Sequence, residues 1–449
     1  MPYLCLLEKE MIKMEKQVGR RRKAAFHTLG CKLNFSETST ISRLFKEQGF
    51  EVVHFNSEAD IYVINTCSVT SHAEKKCKQA IRKIQHNHPN AYIAVAGCYA
   101  QLKAHEIAST LGVDLVLGTN EKFNILNYID DLSKNDTPQV YSCEIEAVNR
   151  FDSSHSEADR TRSFLKVQDG CDYSCSYCTI PLARGKSRNK KISDLVYEAS
   201  QIAQSGIKEI ILTGVNIGDF GKSTGETFFD LLKALEKVEG IERIRISSVE
   251  PNLLKDEIIE WVSQSSKILN HFHIPLQSGC NKILAKMQRR YNRELFQSRI
   301  ERIKQLMPDA FIGVDVIVGF PGETDAFFED TYQFLKKMDA SYYHVFPYSE
   351  RPNTRSATFS DKVPQKIIHE RSKTLQRLAE EKQNVFYQKN IGKKANVLFE
   401  SNKKNGVMFG FTENYIKVEI PYSHSLIGAI KQVKLLELSE TGNVKAAIV

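Results

Sequence analysis

Two successive series of short apolar runs, each run followed by an amphipathic stretch, constrain this chain more than any other feature. In the first series Ala24–Leu29, Ile61–Asn65, Tyr92–Ala96 and Asp114–Leu117 read as strands. Helices are expected over Glu37–Gln48, Ser71–His86 and Gln101–Leu111. Strands alternating with helices favour a parallel sheet, because each crossover helix buries its apolar face while returning the chain to the same edge. A doubly wound N-terminal domain is therefore expected over residues 23–135, after an extension over 1–22. A polar linker over 136–157, with room for one strand, follows it.

The second series has candidate strands at Phe164–Val167, Glu209–Leu212, Arg243–Ser247, His271–Ile274, Ile312–Val318 and Tyr342–Phe346. Helices such as Ser193–Gln204, Thr227–Val238 and Arg293–Leu306 lie between them. Six strand–helix units fall short of the eight of a closed barrel, so an open (β/α)6 barrel is expected over 158–388, ending in a charged helix over Gln365–Lys389. The last module, 389–449, carries strand-like runs at Ala395–Glu400, Val407–Phe411, Tyr415–Ile420 and Ile427–Leu438 with turn-forming residues between them, as in a small β-barrel. The fold class is α/β, in several domains.

Of the 449 residues, 41% are apolar and 26% charged, which excludes a disordered or collagen-like chain. No apolar run reaches the roughly 18 residues of a spanning helix. The first residues lack the basic-then-apolar order of a signal peptide. A cytoplasmic protein without membrane contact is expected. The net charge of +8 permits a polyanionic partner. Ten cysteines spread over so long a chain point to metal or redox chemistry rather than to a disulfide framework.

Gly170-Cys171-Asp-Tyr-Ser-Cys175-Ser-Tyr-Cys178 places three cysteines in a CxxxCxxC run after the first barrel strand. Thiolates are soft ligands for an iron–sulfur cluster or zinc. A cubane cluster takes four cysteines, so three leave one iron open to a small molecule. Gly170, Asp172 and Ser174 favour a loop over a helix face that the three would merely line. Barrel chemistry sits at the C-terminal ends of strands, where this loop lies. The run resembles the radical S-adenosylmethionine (SAM) superfamily. The resemblance implies that Cys171, Cys175 and Cys178 hold a 4Fe-4S cluster whose open iron binds SAM and cleaves it to a 5′-deoxyadenosyl radical.

Three further cysteines occur in Thr28-Leu-Gly30-Cys31-Lys-Leu-Asn34, Asn65-Thr-Cys67-Ser-Val-Thr70 and Ala96-Gly97-Cys98-Tyr-Ala-Gln101. Each follows a predicted strand and precedes a helix. In a parallel sheet such loops emerge along one edge, so Cys31, Cys67 and Cys98 can converge. With these segments the resemblance narrows to the methylthiotransferase family, over about Lys23 to Val449. It implies a second 4Fe-4S cluster on Cys31, Cys67 and Cys98 that delivers sulfur, and a C-terminal TRAM domain that binds RNA. Of the remaining cysteines, Cys5, Cys77 and Cys143 are expected to be structural or incidental, and Cys280 is left without a role.

By the same resemblance, Gly214, Asn216, Glu250, Gln277 and Gly319, all at strand ends, are candidate SAM contacts. Arg184, Arg289 and Arg290 are cations available to SAM or phosphate, or else to solvent. His271 and His273, two apart on one strand, are read as buried and satisfied rather than as ligands. From Glu381 onward there are ten Lys against six acidic residues and no Arg, with Phe399, Phe409, Phe411 and Tyr415 as possible stacking faces. The basic run Gly19–Lys23 is expected to be a solvated start.

The segments around Cys67 and Leu212–Gly221 look most like the branch acting on N6-threonylcarbamoyladenosine, beside the tRNA anticodon. That implies two SAM molecules, one giving a methyl group and one the radical that removes the C2 hydrogen. The implied partners are the anticodon stem-loop of tRNA and an electron donor such as a flavodoxin or ferredoxin. The alternatives are the isopentenyladenosine branch, the branch modifying a ribosomal-protein aspartate, and a non-catalytic iron–sulfur protein that binds RNA or senses redox state.

Overall fold

A computed structural model describes residues 20–68, 70–129, 131–134, 137–156 and 161–449. The extension up to Gly19, including Cys5, lies outside the described residues. The chain divides into two compact units, the first ending at Cys143 and the second running from Glu144 to Val449. No helix among the described residues is long and apolar enough to cross a membrane.

The first unit is a six-stranded parallel sheet. Its strands are β1 (Lys23–Thr28), β2 (Glu51–Val53), β3 (Ile61–Thr66), β4 (Tyr92–Gly97), β5 (Leu115–Leu117) and β6 (Gln139–Tyr141), in the order β2-β1-β3-β4-β5-β6. Along β3, Tyr62 and Ile64 pack into one apolar cluster with Ile81, Ile93 and Val95, while Ile61 and Val63 pack into another with Ile41, Phe45 and Leu115. Successive side chains point to opposite faces, so helices on both faces demand a strand apolar at every position. The sequence expectation holds for β1, β3, β4 and β5. It missed the three-residue β2, and it placed β6 inside the linker, where the strand pairs with β5.

Two helices differ from expectation where it matters for function. The first begins at Lys32, with Cys31 as its N-cap, rather than at Glu37. The polar residues that disguised its first turn bond back to the chain: Ser36 donates to the Leu33 carbonyl at 2.8 Å and Thr38 to that of Asn34 at 2.9 Å. The helix expected over Gln101–Leu111 is two helices, Cys98–Leu102 and Ala104–Leu111, broken at Lys103.

The second unit opens with six parallel strands: β7 (Arg162–Lys166), β8 (Glu209–Thr213), β9 (Arg243–Ile246), β10 (His271–His273), β11 (Phe311–Val318) and β12 (Tyr342–Pro347). They form two three-stranded runs in chain order, joined where Ser248 bridges His273. The row does not close, since β12 and β7 are not paired with each other. This is the open (β/α)6 arrangement expected. One apolar cluster from Leu165 to Ala379 joins the strands to their outer helices.

The final module is a closed barrel of β13 (Lys394–Lys404), β14 (Val407–Thr412), β15 (Lys417–Pro421), β16 (Ile430–Leu438) and β17 (Val444–Ile448), in the order β13-β14-β15-β17-β16. The fifth strand escaped the sequence reading because Val-Lys-Ala-Ala-Ile is short and weakly apolar. The module is docked on the (β/α)6 strands by arginines. Arg243 donates to the carbonyls of Asn396 (2.8 Å) and Phe411 (3.2 Å), and Arg245 to those of Thr412 (3.3 Å) and Glu413 (3.2 Å). Glu209, fully buried, accepts from Arg245 at 3.1 Å and lies near Arg162 and Arg243. Burial alone would raise the Glu209 carboxyl, but Arg245 and Arg162 hold it below the usual carboxylate range.

Candidate functional site

In the first unit the three dispersed cysteines lie along one edge of the sheet, just past the ends of neighbouring strands. Strands β1, β3 and β4 are adjacent, with Thr28 paired to Asn65, Asn65 to Ala96 and Thr66 to Gly97. Cys31, Cys67 and Cys98 follow the ends of these three strands. The closeness of the first two is measured by Gly30, where a Cβ would lie 2.6 Å from the Cys67 Cβ and 3.0 Å from its Sγ. Gly30 and Gly97 also have φ of 110° and 98°, in the left-handed region that side chains resist.

Side chains lace the three loops together. Asn34 donates to the carbonyls of Leu29 (2.7 Å) and Thr66 (3.0 Å), and the Cys31 thiol lies 3.7 Å from its Oδ1. Asn65 donates to the Asn34 carbonyl and to the Thr38 hydroxyl, each at 3.1 Å. Thr66 donates to the Ala96 carbonyl at 2.6 Å. Asn34, Asn65 and Thr66 were not assigned from sequence, although all stand within three residues of a cysteine. Cys77 is a different case: fully buried in the apolar cluster, its thiol is pushed up to about 12 by burial.

In the second unit, Cys171, Cys175 and Cys178 sit on the loop after β7. The loop is fastened at its base by Asp169, a buried carboxylate that takes Lys166 (2.8 Å), Arg184 (3.0 Å) and Arg188 (3.2 Å). Arg184 is thus a structural cation. Gly170 has φ of 71°, and a Cβ there would run into the Lys186 carbonyl. Gln168 links the loop to the end of β8, donating to the Gly170 carbonyl (2.7 Å) and accepting from the Val215 and Asn216 amides (3.0 and 2.8 Å).

Each of the three sulfurs faces a donor. The Tyr173 amide points at Cys171 Sγ and the Ile180 amide at Cys178 Sγ, both at 3.4 Å, and Arg289 Nη1 lies 2.9 Å from Cys175 Sγ. Burial and mutual proximity push the thiols up, Cys171 to about 11 and Cys178 to about 12, while Arg289 partly offsets the effect of burial at Cys175. Thiols on one loop, each met by an N–H, are the type of group that a soft metal can take as thiolates with release of their protons. All described cysteines are free of disulfides.

The Arg289 side chain is only 4% exposed, and it also pairs with Glu250 and donates to Tyr291 Oη at 3.1 Å. Arg290 faces outward over the Tyr173 ring, 4.0 Å from its centroid. Burial raises the Glu250 carboxyl, with Arg289 opposing. Gln277 adopts φ of 69°, strained for a residue with a side chain, and lines a pocket of about 260 Å3 with Cys178, Asp315, Ile317, Phe346 and Tyr348. Asn216 is buried, and its Oδ1 has no hydrogen-bond partner among the described residues. Gly214 and Gly319 are accounted for by packing: a Cβ at Gly214 would lie 2.9 Å from the Gln168 carbonyl, and one at Gly319 would strike Ile368. Cys280 packs with Ile283, Met287 and Phe320.

The aromatic residues of the C-terminal barrel divide sharply. Phe399 is in the core. Phe411 stacks on Tyr415 at 4.8 Å between centroids, with Arg162 over Phe411 and Arg245 over Tyr415. Those three are committed to packing and docking. Phe409 alternates outward on β14, with Lys417 Nζ 4.5 Å from its ring centroid. His271 is buried against Phe311 and Tyr415, which meets the expectation of burial. His273 is satisfied by hydrogen bonds yet half-buried, on the lumen side of the strands.

Comparison with known proteins agrees with this geometry. Residues 23–118 match the model of the Uncharacterized protein family UPF0004, and residues 165–335 that of the Radical SAM superfamily. The chain is 40% identical over 421 residues to the threonylcarbamoyladenosine tRNA methylthiotransferase MtaB of Bacillus subtilis (strain 168), covering 92% of this chain and 93% of that protein. It is 32% identical to the tRNA-2-methylthio-N(6)-dimethylallyladenosine synthase of Caldicellulosiruptor saccharolyticus, covering 94% and 91%. Among solved structures it resembles the radical S-adenosylmethionine methyltransferase TsrM of Kitasatospora setae, with a TM-score of 0.52, 14% identity, and 75% and 77% of the two chains covered.

Proposed function

The chain belongs to the radical SAM methylthiotransferase family, and from that premise we infer that it converts N6-threonylcarbamoyladenosine in tRNA to its 2-methylthio derivative. What carries the choice of branch is the identity of 40% to the threonylcarbamoyladenosine relative against 32% to the dimethylallyladenosine one, over nearly the whole chain in both cases. The cofactors of the reaction are SAM and two 4Fe-4S clusters.

We propose that Cys171, Cys175 and Cys178 hold one cluster and Cys31, Cys67 and Cys98 the other. When bound, SAM and the first cluster supply a radical that removes hydrogen from an unactivated carbon, and the second cluster supplies sulfur. The protein's own part is to hold and shield these groups. Three cysteine ligands leave one metal position for SAM. The Tyr173 and Ile180 amides and Arg289 donate to the sulfurs and stabilise their negative charge. Glu250 offers a carboxylate to a cationic ammonium, Gln277 presents an amide to the pocket, and Asn216 Oδ1, without a hydrogen bond among the described residues, is an acceptor in reserve. Ile317, Phe346 and Tyr348 give the same pocket an apolar side. Gly214 and Gly319 support these contacts by letting Gln168 and Ile368 approach.

The C-terminal barrel serves as the RNA-binding TRAM module, with Phe409 and Lys417 on its outer side. The reading calls for an electron donor such as a flavodoxin or ferredoxin, and for action in the cytoplasm, where tRNA is found. The test is nucleoside mass spectrometry of tRNA from a methylthiotransferase-deficient bacterial host, with and without this protein. The expected new species is 2-methylthio-N6-threonylcarbamoyladenosine. A methylthio-isopentenyladenosine peak alone would move the protein to the other tRNA branch. No new nucleoside, from protein carrying both clusters, would overturn the reading.

A further inference from the structure

The lumen of the (β/α)6 strands holds a polar cluster that none of the cysteine chemistry uses. His273 on β10 is held at both ring nitrogens: Nδ1 lies 2.8 Å from the Ser248 hydroxyl and Nε2 2.7 Å from Asp315 Oδ1. His344 on β12 is the registered partner of Asp315 on β11, so both project to the same face. The His344 and His273 rings stand edge to face at 5.1 Å between centroids. One ligand atom from each of His273, Asp315 and His344 can be chosen so that all lie within 4.8 Å of one another.

Three features mark this cluster as a binding surface rather than a buried brace. His344 is exposed, and His273 and Asp315 keep 21% and 18% of their side-chain area accessible, so the lumen is open here. Gly313, between the two histidines, leaves that space free: a Cβ there would stand 3.6 Å from both His273 Cδ2 and His344 Nε2, and any larger side chain would fill the gap. Asp315 also lines the pocket at Cys178, beside the strained Gln277. A molecule lying against the cysteine loop therefore reaches the cluster through Asp315.

We propose that His344, Asp315 and His273, with Ser248 behind them, form the subsite that reads the N6 substituent of the target adenosine and selects a polar one. This rests on the reading of the protein as a tRNA adenosine methylthiotransferase. The substituents named for the two kinds of relative differ in kind. A threonylcarbamoyl group carries urea N–H donors, a hydroxyl and a carboxylate, whereas a dimethylallyl group is hydrocarbon. The His344 imidazole answers the carboxylate or the urea carbonyl, and Asp315, oriented by His273, answers a urea N–H or the hydroxyl with its remaining lone pairs. A dimethylallyl group in the same place would strip water from these side chains and return no hydrogen bond. Sites built to hydrogen-bond a substrate reject an analogue lacking the partner by as much as about 10⁴–10⁵-fold.

The test is an anaerobic assay of the cluster-loaded full chain on two anticodon stem-loops, one with N6-threonylcarbamoyladenosine and one with N6-dimethylallyladenosine. It compares wild type with His344→Phe, which keeps a planar ring and removes the polar nitrogens, and with His344→Gln, which keeps a donor and an acceptor. Each variant is first shown to hold the wild-type iron content. We expect His344→Phe to lower kcat/KM on the threonylcarbamoyl loop by about 100-fold, mainly through KM, and to narrow the preference over the dimethylallyl loop. His344→Gln should recover to within about tenfold of wild type. Full activity of His344→Phe on the threonylcarbamoyl loop, or an equal loss on both loops, would overturn the subsite. So would one equivalent of zinc retained by wild type and released by His344→Phe, which would make the cluster a metal site instead. A wild-type enzyme that cleaves SAM yet thiolates neither loop would remove the parent reading, and the subsite with it.

Discussion

Cys171, Cys175 and Cys178 lie within eight residues of one loop, whereas Cys31, Cys67 and Cys98 span sixty-eight residues and three loops. The local set is pinned by charge: Asp169 gathers three cations at the base, and Arg289 reaches in from another segment to Cys175. The dispersed set is pinned by the sheet itself. Adjacent strands end in register, and neutral side chains of Asn34, Asn65 and Thr66 tie the loops together. A local motif can keep its spacing while its surroundings vary. A dispersed one exists only when its whole domain is folded.

The largest effects should separate the two sets by reaction. Cys175→Ala should abolish 5′-deoxyadenosine formation and halve the iron, from about eight to about four atoms per chain, if each set holds a four-iron cluster. Iron analysis and chromatography of the SAM products check both, and undiminished 5′-deoxyadenosine would break the assignment of the local set. Cys67→Ala should also halve the iron, yet leave SAM cleavage running while methylthio product disappears. Thiolated tRNA from that variant would end the sulfur-delivering role of the dispersed set.

A smaller effect tests whether charge serves the local set. Arg289→Lys replaces a planar fork, which meets Cys175, Glu250 and Tyr291 together, by a single ammonium. Losing one charged hydrogen bond, about 1.5 kcal/mol, should slow 5′-deoxyadenosine formation by about tenfold. The same change should leave the ultraviolet–visible signature of the dispersed cluster untouched. An unchanged rate would mean that the loop needs no cation beside Cys175.

The same contrast explains how much was legible beforehand. Alternating runs such as Ile61–Asn65 and Ile312–Val318 announce their strands because burial on both faces leaves few other compositions. The CxxxCxxC run is visible at sight, and the dispersed cysteines become visible once each is placed after a strand. What could not be read depends on partners distant in sequence. Gly319 owes its lack of a side chain to Ile368, and Gly214 owes it to Gln168. Ser248, His273, Asp315 and His344 are each ordinary residues, and only the register of β10, β11 and β12 assembles them. Phe411 and Tyr415 looked available to RNA because nothing in the sequence shows Arg162 and Arg245 lying over their rings.

The last effect, on stability rather than on turnover, probes the dependence of the dispersed set on its domain. Asn34→Ala removes the donor that ties the Leu29 and Thr66 carbonyls, one from the loop of Cys31 and one from the strand leading to Cys67. A buried carbonyl left without a partner costs about 1–3 kcal/mol, so the unfolding free energy of the first unit should fall by about that much and its urea midpoint should drop accordingly. Because a dispersed site exists only in the folded unit, its iron should leave in the same transition, while the iron of the local set stays until the second unit unfolds. Following iron release and secondary structure together in a urea titration distinguishes the cases. Loss of the dispersed cluster's iron well before the first unit unfolds would show that its three loops open independently of the sheet, and the contrast between the two sets would then be one of spacing alone.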